Sequence, residues 1–210
     1  VGGKPIVKNE CGSIKKTLRM ESDAILNAYE NLDMQAAENI IEKIGSCKGN
    51  IILSGSGTSG IAAKKIAHTF NCMGRPAVFL DPFEGLHGGL GLVRSADIVI
   101  LLSNGGETEE INQLIPVCKS KGAMLIAVTG NMSATLAKQA DTVLKVNAGR
   151  EADPFDLFAT SSIIAILAVF DAISICVMEK TNYTKEDFAA VHPGGAVGKS
   201  LKNTVLEKKE

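Results

Sequence analysis

Short, continuously apolar runs alternate along the chain with stretches in which apolar residues return every three or four positions. The runs Ile51–Leu53, Ala77–Leu80, Ile98–Leu102, Met124–Val128 and Thr142–Val146 predict strands buried on both faces, as in a parallel sheet covered by helices on each side. After the first run, Ala63, Ile66, Ala67 and Phe70 fall at i, i+3, i+4 and i+7, one apolar stripe of a helix. Ile111, Leu114, Ile115 and Cys118 form another stripe, with Pro116 inside it, where a kink is expected. Two helices are predicted before the first strand, Ile14–Asn31 and Met34–Ile44; the second repeats the spacing at Ala37, Ile40, Ile41 and Ile44. Val1–Ser13 reads as a polar, loosely held leader.

Leu157–Met178, which includes IIAILAVF, is nearly long enough to span a bilayer. It contains Asp171 and opens with Thr160, Ser161 and Ser162. The expectation is therefore a fully buried helix, at a subunit interface, in a protein that purifies without detergent. No repeat and no Pro-rich or low-complexity stretch divides the chain. The pattern predicts one doubly wound α/β domain with a five-stranded, mostly parallel sheet and helices on both faces.

Composition narrows the function classes. The 210 residues carry a formal net charge of −1 with a pI near 6.4, which gives no footprint for nucleic acid or for an acidic membrane surface. Five cysteines, an odd number with no C-x-x-C, argue against a disulfide framework and for a reducing, cytoplasmic setting. The N-terminal segment is too charged to hold the apolar core of a signal peptide.

The chemistry gathers at strand ends, where open α/β sheets bind ligands. Asn50 to Phe70 reads NIILSGSGTSGIAAKKIAHTF, a strand, a Gly/Ser/Thr loop and a helix. Such a helix N-terminus offers unpaired N–H groups and a positive dipole end, and glycines let an anion approach closely; a phosphate is the expected occupant. Gly55, Gly57 and Gly60 also spell G-x-G-x-x-G, with Asp81 at the spacing of a ribose-binding acid. The hydroxyls of Ser54, Ser56, Thr58 and Ser59 serve a sugar phosphate as well as a dinucleotide, so both readings stand on this loop alone. A second loop, Ser103, Asn104, Gly105, Gly106 and Thr108, repeats the chemistry after Ile98–Leu102. One phosphorylated ligand held between two such loops fits better than a single dinucleotide fingerprint. Glu107, Glu109 and Glu110 follow in the first helical turn, either as dipole partners facing solvent or with one turned inward as a general base.

The ordered series GSGTSG, HGGLG, SNGGETEE, VTGN, KQADTVL, READP, TSS and VHPGGAVGKSL resembles the SIS (sugar isomerase) domain, and within it the arabinose-5-phosphate isomerases. The resemblance spans residues 49–201, leaving 1–48 as leader and N-terminal helices packing on the core and 202–210 as a C-terminal tail. It implies catalytic roles for Glu110, Glu151, His192 and His87. It also implies substrate and phosphate contacts from Ser56, Gly57, Thr58, Ser59, Ser103, Asn104, Gly105, Thr108 and Ser161, with no metal or cofactor. The paired CBS modules that follow the domain in the family are not part of this sequence.

Two positions depart from the family pattern: Thr58 replaces the first-loop lysine, and Gly105 replaces a serine. Lys64, Lys65 or Arg150 could restore the lost charge, or the lysines could form a solvated helix face. His192 also fits a helix cap or a core position, although Pro193, Gly194 and Gly195 after it make a turn that could present the ring; His68 reads as structural. The implied activity is interconversion of D-ribulose 5-phosphate and D-arabinose 5-phosphate for 3-deoxy-D-manno-octulosonate synthesis, with Glu110 or Glu151 as base. The alternatives are a non-catalytic sugar-phosphate-binding module and an isomerase of another phosphosugar. The resemblance further implies a homo-oligomer, a tetramer in which His192 reaches a neighbour's site. Octulosonate or its nucleotide-activated form is a candidate feedback ligand. Exchange of His192 or Glu151 is expected to abolish turnover with thermal stability nearly intact.

Overall fold

A computed structural model describes residues 10–194 and Gly198. Most of the leader, the tail 202–210 and Gly195 of the histidine motif lie outside the described residues. The chain runs α1 (Glu10–Asn31), α2 (Met34–Ser46), β1 (Ile51–Gly55), α3 (Gly57–Cys72), β2 (Ala77–Phe79) and α4 (Pro82–Leu86). A 3-10 turn (Gly89–Leu92), β3 (Ile98–Leu102), α5 (Glu109–Ser120), β4 (Met124–Thr129) and α6 (Thr135–Gln139) follow, then β5 (Thr142–Lys145), α7 (Ser161–Lys180) and α8 (Lys185–Val191).

The five strands form one sheet, order β2-β1-β3-β4-β5, with every pairing parallel. Alternate residues of each strand serve opposite faces. Ile51, Leu53, Ile98, Ile100, Leu102, Ile126 and Val128 join α1, α2, α3 and α7 in one core. Ile52, Val99, Leu101, Leu125 and Ala127 join the β2–β3 segment, α5 and α6 in another. Both cores being apolar explains why β1, β3 and β4 read as unbroken runs; edge strand β2 departs from the expectation of burial on both faces, since Val78 is exposed. In the first, Phe70 of α3 meets Phe170 of α7 edge to face, ring centroids 6.3 Å apart; each fully buried aromatic of this kind contributes roughly 1.5–3 kcal/mol.

The structure corrects three expectations. Helix α1 begins at Glu10, so Glu10–Ser13 belong to it and not to a leader. Helix α7 begins at Ser161, not Leu157, because Thr160 donates to Glu151 and the N–H groups of Leu157 and Phe158 donate to Asp153. It is also not fully buried: Ala165, Ile166, Val169, Phe170, Ile173 and Val177 face the core, while Asp171, Ala172, Ile175 and Cys176 face outward. By length and composition α7 could cross a membrane; in this fold it packs against α1, α2 and α3. Four short elements, α4, the 3-10 turn, α6 and α8, were not predicted; two of the helices have only five residues, too few to display a period.

After β1 the chain moves outward to β2 and then returns across β1 to start β3. The reversal leaves a crevice beyond the carboxyl ends of β1 and β3, the position where sheets of this type bind ligands. Both hydroxyl loops leave the sheet there.

Candidate active site at the switch point

The first loop is shaped by two glycines with separate tasks. Gly57 has φ +56°, a left-handed conformation that side chains disfavour. Gly60 lets α3 lie against the strand end, since a Cβ there would sit 2.5 Å from the Gly55 carbonyl oxygen. Ser56 occupies the N-cap of α3 without using its hydroxyl as a cap, so that hydroxyl and the N–H groups of the first turn, which includes exposed Thr58 and half-buried Ser59, are available to an anion.

The second loop is held from within. Ser103 Oγ lies 2.8 Å from Thr108 Oγ1 and accepts from Gly106 N–H at 3.1 Å. The Asn104 carbonyl accepts from Gly130 N–H and from Thr129 Oγ1, each at 2.9 Å. Gly106 has φ +71°, and a Cβ on it would lie 2.5 Å from Ala134 Cβ. At Gly105 no atom of the described residues beyond its chain neighbours lies within 4 Å of the Cβ position, so a serine would fit; this departure removes a hydroxyl without closing any space.

The three glutamates separate by partner. Glu107 accepts from Thr135 N–H at 2.8 Å, and that hydrogen bond holds its carboxyl below the ordinary range. Glu109 accepts from Gln113 at 3.0 Å along the helix. Glu110 turns into a cavity of about 390 Å³ with Gly55, Ser56, Gly57, Gly60, Lys64 and Asp81 around it. Asp81 N-caps α4 through the N–H groups of Phe83 and Glu84, 3.0 and 3.4 Å away. Thus the crevice unites Ser56, Gly57 and Glu110, with Thr58 and Ser59 in the adjoining turn.

The other predicted residues lie elsewhere. Glu151 accepts from Thr160 N–H at 2.8 Å, Thr160 Oγ1 at 3.0 Å and Ser162 N–H at 3.2 Å, and so caps α7. Burial alone would raise its carboxyl, but the Ser162 and Thr160 hydrogen bonds outweigh that and hold it below the ordinary value. Asp156, at φ 60°, clasps the same loop by accepting from Glu151 N–H at 2.6 Å and Arg150 Nε at 3.2 Å. Ser161 is fully buried and its Oγ has no partner among the described residues. His87 ends α4, exposed, its ring 4.4 Å from that of Phe83, a cavity wall.

His192 ends α8, stacked on Phe188 at 3.8 Å with Nδ1 2.9 Å from the Phe188 carbonyl. Within this chain its geometry is therefore that of a helix-capping histidine. Among the described residues, no hydrogen bond or ion pair joins Glu151, His87 or His192 to the cavity residues. Of the cations weighed from sequence, Lys65 pairs with Asp171 and Arg150 with Asp156. Lys64 lines the cavity, and Asp81, read from sequence only as a ribose-binding acid, lines it too.

The family model for the SIS domain matches residues 44–175. The arabinose 5-phosphate isomerase KpsF of Escherichia coli O6:H1 (strain CFT073) is 38% identical over 195 residues, covering 93% of this chain and 60% of the relative. The chain thus spans about three fifths of the length of the curated relatives it matches. A Listeria monocytogenes protein described as a candidate sugar-phosphate isomerase is 45% identical with a TM-score of 0.87, over 90% of this chain and 100% of that one. An E. coli CFT073 protein solved in complex with A5P is 34% identical with a TM-score of 0.85, over 89% of this chain and 100% of that one.

Proposed function

This chain belongs to the SIS domain family, and on that premise we propose that it is an aldose–ketose isomerase interconverting D-ribulose 5-phosphate and D-arabinose 5-phosphate. The observation that carries the reading is the crevice itself, where a carboxylate, Glu110, faces the anion-ready N-terminus of α3 across one cavity. The N–H groups of Gly57, Thr58 and Ser59 and the Ser56 hydroxyl hold the phosphate, with the Ser103–Thr108 loop behind it. Glu110 removes the proton beside the carbonyl and returns it one carbon away. His87, at the rim, and His192, delivered from a neighbouring subunit, serve ring opening. Glu151 keeps the α7 loop in place through its cap. The KpsF relative and the neighbour with A5P bound support this substrate class.

The same reading places the protein in the cytoplasm as a homotetramer, purified without detergent, supplying octulosonate synthesis for lipopolysaccharide or capsule. Octulosonate or its nucleotide-activated form is then a feedback ligand of the pocket. A second reading, a sugar-phosphate-binding module without catalysis, is favoured by Thr58 and Gly105, which replace a lysine and a serine of the family pattern. Glu110→Gln separates the two. It should lower turnover at least about 100-fold while arabinose 5-phosphate still raises the melting temperature. A wild-type protein that is stabilised by the sugar phosphate but turns nothing over would favour the second reading. Unchanged turnover in Glu110→Gln would remove Glu110 as the base.

A further inference from the structure

We propose that Lys64 supplies the cation that holds the substrate's phosphate in this crevice. The inference rests on the reading that the cavity takes a sugar phosphate. Two carboxylates, Asp81 and Glu110, line that cavity, and the first loop itself offers only hydroxyls and N–H groups. A phosphate dianion entering such a space is repelled unless a positive charge faces it. Lys64 is the one Lys or Arg among the described residues that lines the cavity.

Its place on α3 suits the task. Lys64 lies four residues after Gly60 and seven after Gly57, which puts all three on one helix face. Side chains on a helix lean toward its N-terminus, so the ammonium reaches back toward the anion-ready turn. Gly60, between them, has no side chain to block the path. Lys64 Nζ lies 4.7 Å from the centroid of the Phe79 ring, another cavity wall. That contact is weak at an exposed site and is readily exchanged for a charge-assisted bond to phosphate. Among the described residues Lys64 forms no ion pair, whereas its neighbour Lys65 is held by Asp171 on α7.

The test compares wild type, Lys64→Met, Lys64→Arg and Lys64→Met combined with Thr58→Lys. Each is assayed for KM and kcat with arabinose 5-phosphate, and for the melting-temperature rise given by arabinose 5-phosphate and by unphosphorylated arabinose. Loss of one charge-assisted contact should raise KM about tenfold in Lys64→Met, with kcat falling far less and the apo melting temperature close to wild type. Lys64→Arg and the added Thr58→Lys should each recover most of the loss, and the ionic-strength dependence of KM should flatten in Lys64→Met. Arabinose should give the same small response in all four proteins. Equal KM and equal stabilisation by the sugar phosphate in wild type and Lys64→Met would overturn the role of Lys64 and leave the function standing. A wild-type protein that neither binds nor converts the sugar phosphate would overturn both.

Discussion

Glu151 was expected from sequence to matter for turnover alone; the structure predicts that Glu151→Ala also weakens the fold. The carboxylate accepts from Thr160 N–H, Thr160 Oγ1 and Ser162 N–H, at 2.8, 3.0 and 3.2 Å. Ser162 is buried, so its N–H loses a partner that water does not easily replace. Loss of an N-cap costs about 0.5–2 kcal/mol, and hydrogen bonds to a charged group contribute about 1.5–3 kcal/mol where they are well shielded. Glu151 is only half-buried, which brings the expected loss down to about 1–2 kcal/mol. For a chain of this length that lowers the melting temperature by about 2–8 °C.

The pH dependence supplies an independent readout. A carboxyl held below its ordinary value of 4.5 adds stability that is fully present above that value and is lost as the pH falls through the lower folded value. Wild type should therefore lose its advantage over Glu151→Ala as the pH falls below 4.5, and Glu151→Gln, which keeps an acceptor without the charge, should fall between them. Thermal melts across this range would decide it. A Glu151→Ala protein melting within about one degree of wild type at pH 7, with superimposable acid profiles, would refute the cap.

Gly106→Ala should destabilise by about 1–3 kcal/mol and impair phosphate binding, because φ is +71° and the new Cβ would meet Ala134; denaturant melts and sugar-phosphate titration check both halves, and a silent substitution would refute it. Cys118 is fully buried, and burial pushes its thiol up to about 11. Peptide mapping after thiol labelling should find Cys118 untouched in the native protein and modified only after unfolding.

The sheet was legible because its inner strands β1, β3 and β4 each serve two apolar cores: in β3, Ile98, Ile100 and Leu102 face one and Val99 and Leu101 the other. The polar loops that follow marked the strand ends, and with them the switch point. Orientation around helices was less legible. Lys64 and Lys65 are adjacent in sequence but about 100° apart around α3, and only the fold sends one to the cavity and the other to Asp171. Glu107 is held away from the crevice by docking to Thr135 N–H, far along the chain, a contact that no periodicity reports. The Glu151 cap needed the left-handed Asp156 turn to bring the carboxylate onto a helix nine residues downstream. The burial of α7 was overestimated because apolar composition alone does not distinguish a two-sided core helix from one whose outer face, with Ile175 54% exposed, is left open within this chain.

The most direct measurement is conversion of isotope-labelled ribulose 5-phosphate by the purified, metal-free wild-type protein, followed by carbon NMR. Arabinose 5-phosphate should appear and accumulate to an equilibrium mixture reached from either direction. A spectrum that remains ribulose 5-phosphate, under conditions where the sugar phosphate raises the melting temperature, would contradict the isomerase and leave a binding protein in its place.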